Sequence, residues 1–342
     1  MTMIDRKLLK KESVGPLMAV LRDSGRRIIA PQSVGSAPGA WYRELGPEDE
    51  LDLEHLTTLS PKSAFLPMVE EILRFRNEGK RIVIDDCKIQ AQPTVIFGSR
   101  PCDTRALHAL DAVFLRQPED MFFREKRAAT TVITFSCAAA DPDCFCTSVG
   151  GGPRDPEGSD LLVTGIGNDC WLVEVWTLKG KQVVELAPHL FQPAGEVETE
   201  CLVAKVPVRF SLDDVRKHLP VLFNDEEFWR EQSLACLGCS SCAFVCPNCS
   251  CFDIQDEADL KGGSRLRCWD SCGQKLFTLH ASGHNPRGGQ SQRWRQRVMH
   301  KFSYLPEKEG LIGCVGCGRC SRACPADMNL VERLTAIAEA RV

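Results

Sequence analysis

The first two hundred residues alternate between short apolar runs and segments with helical spacing. Runs of four to eight residues rich in Val, Ile, Leu and Thr predict six β-strands. These strands cover residues 81–84, 94–98, 130–135, 161–167, 171–178 and 182–186, with a turn at Lys179–Gly180 between the last two. Residues 1–60 show no clear period and carry no prediction.

Helical patterns separate these runs. A helix is predicted between Pro61 and Gly79, where apolar residues recur at helical spacing (Leu66, Val69, Ile72, Leu73). A second helix is predicted at 104–115, with Asp103 as its cap. Strands alternating with helices predict an α/β domain with a mixed sheet over residues 1–209.

The pattern changes after residues 192–208, which form a plausible boundary. Ser211 and Asp214 resemble a capping box that opens a helix ending near Pro220. Further helices are predicted at 225–235 and 330–341, and short loops rich in Cys and Gly lie between them. We therefore predict a second, α-helical domain over residues 210–342.

Composition narrows the class of protein. The 342 residues are 43% hydrophobic and 26% charged, as in a globular chain, and the net charge of −4 argues against a nucleic-acid partner. The charged N-terminus lacks the apolar core of a secretory signal. The weakly polar run 128–140 is too short to span a bilayer. We expect a soluble cytoplasmic protein without a membrane partner.

The chain contains 19 cysteines, and twelve of them lie between Cys236 and Cys324. In a reducing compartment such a density indicates metal or redox chemistry instead of disulfides. The run Cys236-x2-Cys239-x2-Cys242-x3-Cys246-Pro recurs as Cys314-x2-Cys317-x2-Cys320-x3-Cys324-Pro. This repeat is typical of proteins that hold two [4Fe–4S] clusters.

The spacing also assigns the ligands. Three thiolates two residues apart can surround one face of a cube, and the fourth cysteine of each run binds the other cluster. One cluster would take Cys236, Cys239, Cys242 and Cys324, and the other would take Cys246, Cys314, Cys317 and Cys320. Zinc sites use well-separated pairs of cysteines, so a zinc protein is the less favoured alternative. The C-terminal domain is accordingly predicted to be ferredoxin-like.

A long insertion separates the two runs and has polar content of its own. Cys249 and Cys251 have two possible roles, either as ligands of a further cluster or alternative ligands, or as buried thiols. Cys268 is best explained as a buried thiol. Cys272 lies in the same insertion. The basic stretch 293–304 either balances the charge of anionic clusters or forms a solvated face.

Four further cysteines lie at or just after predicted strand ends, where loops of an α/β sheet gather into sites. They are Cys102, Cys137, Cys144 and Cys146. Their spacing fits no standard motif, so the pattern leaves a third metal centre and buried thiols both open. Cys87, Cys170 and Cys201 are predicted to be core thiols. Gly165-x-Gly167 lacks the third glycine of a dinucleotide site, and no catalytic constellation is present.

These motifs resemble those of the iron–sulfur beta subunit of cytoplasmic sulfhydrogenases (NAD(P)-linked nickel–iron hydrogenases). They are also similar to those of the iron–sulfur electron-transfer component of anaerobic sulfite reductase. The matching segments are FGSRPCDTRALHALDAVF (97–114), CAAADPDCFCTS (137–148), CLGCSSCAFVCPNCSC (236–251), RCWDSC (267–272), RVMHKFSY (297–304) and CVGCGRCSRACP (314–325).

The resemblance implies a third [4Fe–4S] cluster held by Cys102, Cys137, Cys144 and Cys146. Cys249, Cys251 and Cys272 also match positions of the family, without a role that follows from the match, whereas Cys268 departs from the pattern. It further implies that the flavin and nicotinamide site and the catalytic centre lie on other subunits. No catalysis is then expected from this chain alone.

The sequence is therefore interpreted as an electron-transfer subunit of an oxidoreductase complex. It would relay single electrons between a flavoprotein subunit that oxidises NAD(P)H and the small and large subunits of a soluble nickel–iron hydrogenase. One alternative is the same role among the subunits of a sulfite reductase or another flavin-based reductase. Another is an enzyme that binds substrate at an incompletely ligated cluster.

Overall fold

The computed structural model describes residues 2–35, 39–85, 89 and 91–341. Its strands are β1 (Asp5–Lys10), β2 (Arg27–Ser33), β3 (Ala40–Glu44), β4 (Val69–Glu78), β5 (Arg81–Asp85), β6 (Thr94–Ser99), β7 (Thr130–Phe135), β8 (Leu161–Gly165), β9 (Cys170–Val175), β10 (Phe191–Pro193), β11 (Phe252–Ala258) and β12 (Gly262–Trp269). Its helices are α1 (Val14–Asp23), α2 (Pro101–Phe114), α3 (Met121–Ala129), α4 (Leu178–Leu186), α5 (Leu212–Leu222), α6 (Glu226–Gln232), α7 (Ser241–Phe244), α8 (Gln290–Met299), α9 (Leu305–Glu309), α10 (Arg319–Arg322) and α11 (Leu330–Ala338). A π-helical turn, His300–Tyr304, joins α8 to α9.

The larger sheet contains eight of the described strands, in the order β10-β1-β9-β8-β7-β6-β2-β3. β2, β6, β7 and β8 run parallel, and the remaining pairs are antiparallel. The N-terminal region is therefore a mixed α/β structure, as the sequence predicted. Parallel β6 and β7 bring their carboxyl ends to one edge of the sheet, and the loops that follow them carry cysteines.

Both faces of this sheet are covered because its central strands are apolar on both sides. Along β6, Val95 and Phe97 face one core with α1 and α4, whereas Ile96 faces a second core with α2 and α3. All six residues of β6, and all six of β7, are buried. These two strands therefore give the cysteine-bearing loops a rigid base.

A second, antiparallel sheet has the order β11-β12-β4-β5. The helix predicted between Pro61 and Gly79 is wrong over most of its length, because β4 occupies residues 69–78. From Leu73 onward the sequence alternates apolar and charged residues, and pairing with β12 and β5 selects the strand. Val69, assigned to the apolar helix face, is 60% exposed.

Two other elements of the structure also differ from those predicted from the sequence. The strand predicted at 182–186 is part of helix α4, whose first turn is capped by the Thr177 hydroxyl accepting from the Gly180 backbone N–H. A short apolar run such as Val183–Val184 is ambiguous between helix and strand. Helix α2 begins three residues before the predicted start, so it includes Cys102. Asp103 lies inside this helix and accepts a hydrogen bond from the Arg100 N–H.

The C-terminal region contains helices α5 to α11 around its own core, which includes Trp229, Trp294 and Phe302. The predicted cap at Ser211 is confirmed, since its hydroxyl accepts from the Asp214 N–H. The region is not wholly α-helical, because hairpin β11–β12 lies in its long insertion. β12 pairs with β4 and so joins this region to residues 1–209; the boundary at 209 and 210 stays a prediction. Among the described residues, no helix is long and apolar enough to cross a bilayer.

Candidate metal centres

The first cysteine run forms a cavity with the end of the second run. Cys239 and Cys242 flank the start of α7, and Cys324 follows α10. The cavity is lined by Cys236, Cys239, Cys242, Cys320 and Cys324, among other residues. The Gln290 side-chain amide donates to Cys236 Sγ at 3.1 Å, and the Met328 N–H donates to Cys324 Sγ at 3.3 Å. The fold thus places Cys324 beside the other run, where the motif predicts a shared ligand.

Cys246 lies near a second group of thiols, which includes Cys249, Cys314 and Cys320. It is buried, and its sulfur accepts a hydrogen bond from Lys301 Nζ at 3.4 Å. Lys301 also donates to the Gly313 carbonyl at 2.7 Å, immediately before Cys314. The π-helical turn that carries Lys301 therefore links the first run to the start of the second. Such turns are frequent at functional sites.

The four N-terminal cysteines converge on one cavity. Cys102 is the second residue of α2, which follows strand β6, and Cys137 follows strand β7 at the same sheet edge. The lining of the cavity includes Cys102, Cys137, Cys144, Cys146 and Cys317. Cys317 belongs to the second cysteine run, so this run borders the N-terminal cavity. Sequence reasoning did not place it there.

Gly316 explains how closely the two regions approach. Its carbonyl accepts from the Phe145 N–H at 2.8 Å, and its φ is +65°. A Cβ at this position would lie 2.5 Å from the Cα and N atoms of Cys146. Only glycine fits between the second cysteine run and the loop that carries Cys144 and Cys146.

A buried ion pair stabilises the N-terminal cavity, and one of its members, Arg319, lines the cavity. Arg319, inside the second run, lies 2.8 Å from the Asp103 carboxylate and donates to the Thr57 carbonyl and hydroxyl. The Tyr42 hydroxyl donates to the same carboxylate at 3.0 Å. Arg319 Nη1 is also 4.0 Å from Cys102 Sγ. The network holds the start of α2 against the second cysteine run.

Burial raises the pKa of several of these thiols and so favours their protonated form when no metal is bound. It raises the pKa of Cys137 and Cys314 to about 11, and that of Cys146 and Cys320 to about 12. A metal ion deprotonates a coordinating thiol outright, which overcomes this effect. The donor set is therefore one of buried sulfurs suited to iron–sulfur clusters.

Three buried cations provide independent support for iron–sulfur clusters at these cysteines. Lys62, Arg297 and Lys301 are only 4%, 5% and 6% exposed. Within the described ranges none of them forms a salt bridge with a carboxylate. Their side chains instead contact cysteines, through Cys242 and Cys246 carbonyls and Cys246 and Cys249 sulfurs. Unpaired buried charge is costly, so these cations fit anionic thiolate-bound clusters.

The same contacts decide between the two interpretations of the basic stretch 293–304. Arg293, Arg297 and Lys301 are buried, so this stretch is not a solvated face. Arg293 donates to the Gly273, Arg287 and Gly288 carbonyls and has a structural role. Arg297 and Lys301 point toward the sulfurs.

The remaining cysteines differ in their surroundings. Cys249 lies beside Cys246, Cys251 lies beside Cys272, and Cys272 is buried. Cys268 lies on β12 opposite Asp253 and is half-buried, as is Cys170 at the start of β9. Cys201 is exposed, so its assignment as a core thiol is wrong. Cys87 lies outside the described residues.

Two residues of these centres had no signal in the sequence. Lys62 lies far along the chain from any cysteine run, yet its Nζ donates to the Cys249 carbonyl at 2.8 Å. Arg319 has a basic side chain inside the second run, but only the fold shows its partner Asp103. Pairing of distant strands and helices creates both contacts.

Comparison with known proteins defines the class first. A family model described as a 4Fe-4S dicluster domain matches residues 235–328. The chain therefore contains such a domain and is an iron–sulfur protein. It is also similar to Sulfhydrogenase 2 subunit beta of Pyrococcus furiosus, with 29% identity over 307 residues that cover 87% of this chain and 89% of the relative. The resemblance to sulfhydrogenase beta subunits is thus confirmed.

Proposed function

We propose that the chain is the iron–sulfur electron-transfer subunit of a cytoplasmic, sulfhydrogenase-like complex. The observation that carries the proposal is the similarity to a sulfhydrogenase beta subunit, which extends over both the N-terminal region and the dicluster domain. The partners would be a flavoprotein subunit linked to NAD(P)H and the small and large subunits of a nickel–iron hydrogenase.

Twelve cysteines are proposed as ligands of three [4Fe–4S] clusters. Two clusters belong to the dicluster domain, and the third belongs to the N-terminal cavity. The three ligand sets are Cys236, Cys239, Cys242 and Cys324; Cys246, Cys314, Cys317 and Cys320; and Cys102, Cys137, Cys144 and Cys146. Cys317 lines the N-terminal cavity as well, which supports a short distance between the second and third clusters.

When bound, the clusters would accept and release single electrons. The residues of this chain would set the positions of the clusters and their reduction potentials. The thiols fix the relative positions, and the apolar core around Trp294 and Phe302 excludes water. Lys301 and Gln290 donate hydrogen bonds to the sulfurs of Cys246 and Cys236, and these bonds would raise the reduction potential of a cluster held there. No side chain is required to make or break a substrate bond.

The experiment that tests this proposal is anaerobic purification of the tagged chain from its own cells, followed by identification of the proteins that accompany it. We expect flavoprotein and hydrogenase subunits, and hydrogen-dependent reduction of NAD(P)⁺ by the complex but not by the chain alone. Recovery with sulfite reductase subunits would replace the hydrogenase assignment. Turnover of hydrogen or sulfite by the isolated chain would contradict a pure electron carrier.

A further inference from the structure

A group of thiols lies at the base of the insertion hairpin, outside the two cysteine runs. Phe252 at the start of β11 pairs with Trp269 at the end of β12, so the residues just outside the hairpin are held together. The Asp270 N–H donates to the Cys251 carbonyl at 3.0 Å, and the neighbouring Cys272 side chain raises the pKa of the Cys251 thiol. The insertion therefore brings two cysteines that are distant in sequence close together.

Cys249 connects this pair to the dicluster domain. Cys246, the last cysteine of the first run, is its neighbour and raises the pKa of the Cys249 thiol. Cys246 and Cys272 are 8% and 9% exposed. Three thiols that the repeated motif does not use thus lie close together and adjoin the motif at Cys246. Cys272 is buried, and Cys249 and Cys251 are half-buried.

The surroundings of this group are cationic. Lys62 Nζ donates to the Cys246 and Cys249 carbonyls at 3.1 and 2.8 Å, and lies 3.8 Å from the centre of the Trp269 ring. Arg297 Nη1 lies 3.5 Å from Cys249 Sγ. No carboxylate of the described part of the chain forms a salt bridge with either cation. Thiolates bound to a metal would balance this buried positive charge.

A core packing role does not account for these features together. Buried free cysteines behave as small apolar residues and need no cationic neighbours. We propose that Cys249, Cys251 and Cys272 are ligands of a further iron–sulfur cluster, adjacent to the one assigned to Cys246. Lys62 and Arg297 would compensate the charge of its thiolates. This proposal concerns cluster content and does not depend on which complex the chain joins.

Metal analysis of anaerobically purified full-length chains tests the proposal. Cys251→Ser and Cys272→Ser should each lose roughly two to four irons per chain, the content of one [2Fe–2S] or [4Fe–4S] cluster. Both variants leave Cys246 and its neighbours in the dicluster domain unchanged. Their dicluster signals in electron paramagnetic resonance (EPR) should therefore persist, which shows that the domain has folded. Cys268→Ser, on the same hairpin but outside the thiol group, should keep the iron content of the wild type.

Wild-type iron content in both cysteine variants would overturn the proposal, and so would zinc instead of iron in the wild-type site. An equal loss of iron in Cys268→Ser would also overturn it, because the effect would then be general damage to the hairpin. Lys62→Met provides a readout with every thiol in place. It should lower the midpoint potential of the signal that Cys272→Ser removes, whereas an unchanged potential would contradict the role of Lys62.

Discussion

Single buried side chains set the charge around the sulfurs. Lys62, Arg297 and Lys301 are all withdrawn from water and contact cysteines instead of carboxylates. Arg319 differs from them because its partner is the Asp103 carboxylate. The first three are expected to act on the reduction potential, whereas Arg319 is expected to act mainly on stability.

Lys301→Met removes the positive charge that donates a hydrogen bond to the Cys246 sulfur, while keeping a side chain of similar length. Because a nearby cation stabilises the reduced, more negative cluster, its loss should lower the midpoint potential of one EPR signal. A decrease of about 60 mV corresponds to a tenfold change in the one-electron equilibrium. The exposed Lys308 on α9 provides the control, and Lys308→Met should leave the potential unchanged. Equal shifts in the two variants would contradict a local effect.

Arg319→Met leaves the Asp103 carboxylate buried without its partner. Breaking a buried ion pair in this way should lower the free energy of unfolding by about 3 kcal/mol, measured by denaturant titration. Arg322→Met removes a more exposed pair with Asp141 and should cost less than about 1 kcal/mol. The double variant Asp103→Asn/Arg319→Met should lose less stability than the sum of the single variants. Additive losses would show that the two residues are not coupled.

At the scale of elements, the limits of sequence prediction follow from contacts between elements that are distant in sequence. β6, β7 and β8 carry continuous apolar runs, which predict strands without any knowledge of the neighbouring strands. β4 and α4 were assigned the wrong element because their apolar residues fit both periods over a short window. Pairing with β12 makes β4 a strand, and the N-terminal cap at Thr177 favours a helix for α4. Both features involve contacts that a local pattern does not contain.

Gly316 joins the second cysteine run to the loop around Cys146, so its substitution should separate two elements. Gly310 is a matched control, because its φ of +70° is similar but no atom lies within 4 Å of a Cβ there. Gly310→Ala should cost about 1–2 kcal/mol from backbone strain alone. Gly316→Ala should lower the free energy of unfolding by a further 1–3 kcal/mol or so, because the added Cβ would clash with Cys146. It should also alter the EPR signal assigned to the N-terminal centre. Equal costs would contradict the close approach.

For the whole molecule, the repeated motif predicts two ligand sets, and the fold supplies their surroundings. Cys236 and Cys324 lie at opposite ends of the dicluster domain in sequence, yet they line one cavity. Cys102 and Cys137 meet because β6 and β7 are parallel neighbours, which sequence patterns indicate only as strand ends. The buried cation Lys62 and the contact of Cys317 with the N-terminal cavity were not predictable, since both depend on packing between distant segments.

Removal of iron should destabilise the chain as a whole. Without thiolate-bound clusters, the buried cations lose their counter-charge and the cavities lose their contents. We expect a lower melting temperature for the iron-depleted chain than for the iron-loaded chain, with recovery after anaerobic reconstitution. Circular dichroism during heating measures both. The same melting temperature in the two states would show that the fold does not depend on the metal.

The central claim is that this chain carries electrons through clusters in both of its regions. An anaerobic redox titration of the purified chain, followed by EPR, tests it most directly. The account predicts reversible one-electron signals from the dicluster domain and a further signal that Cys144→Ser removes while the dicluster signals remain. Spectra without iron–sulfur signals, or a Cys144→Ser spectrum identical to the wild type at every potential, would contradict it.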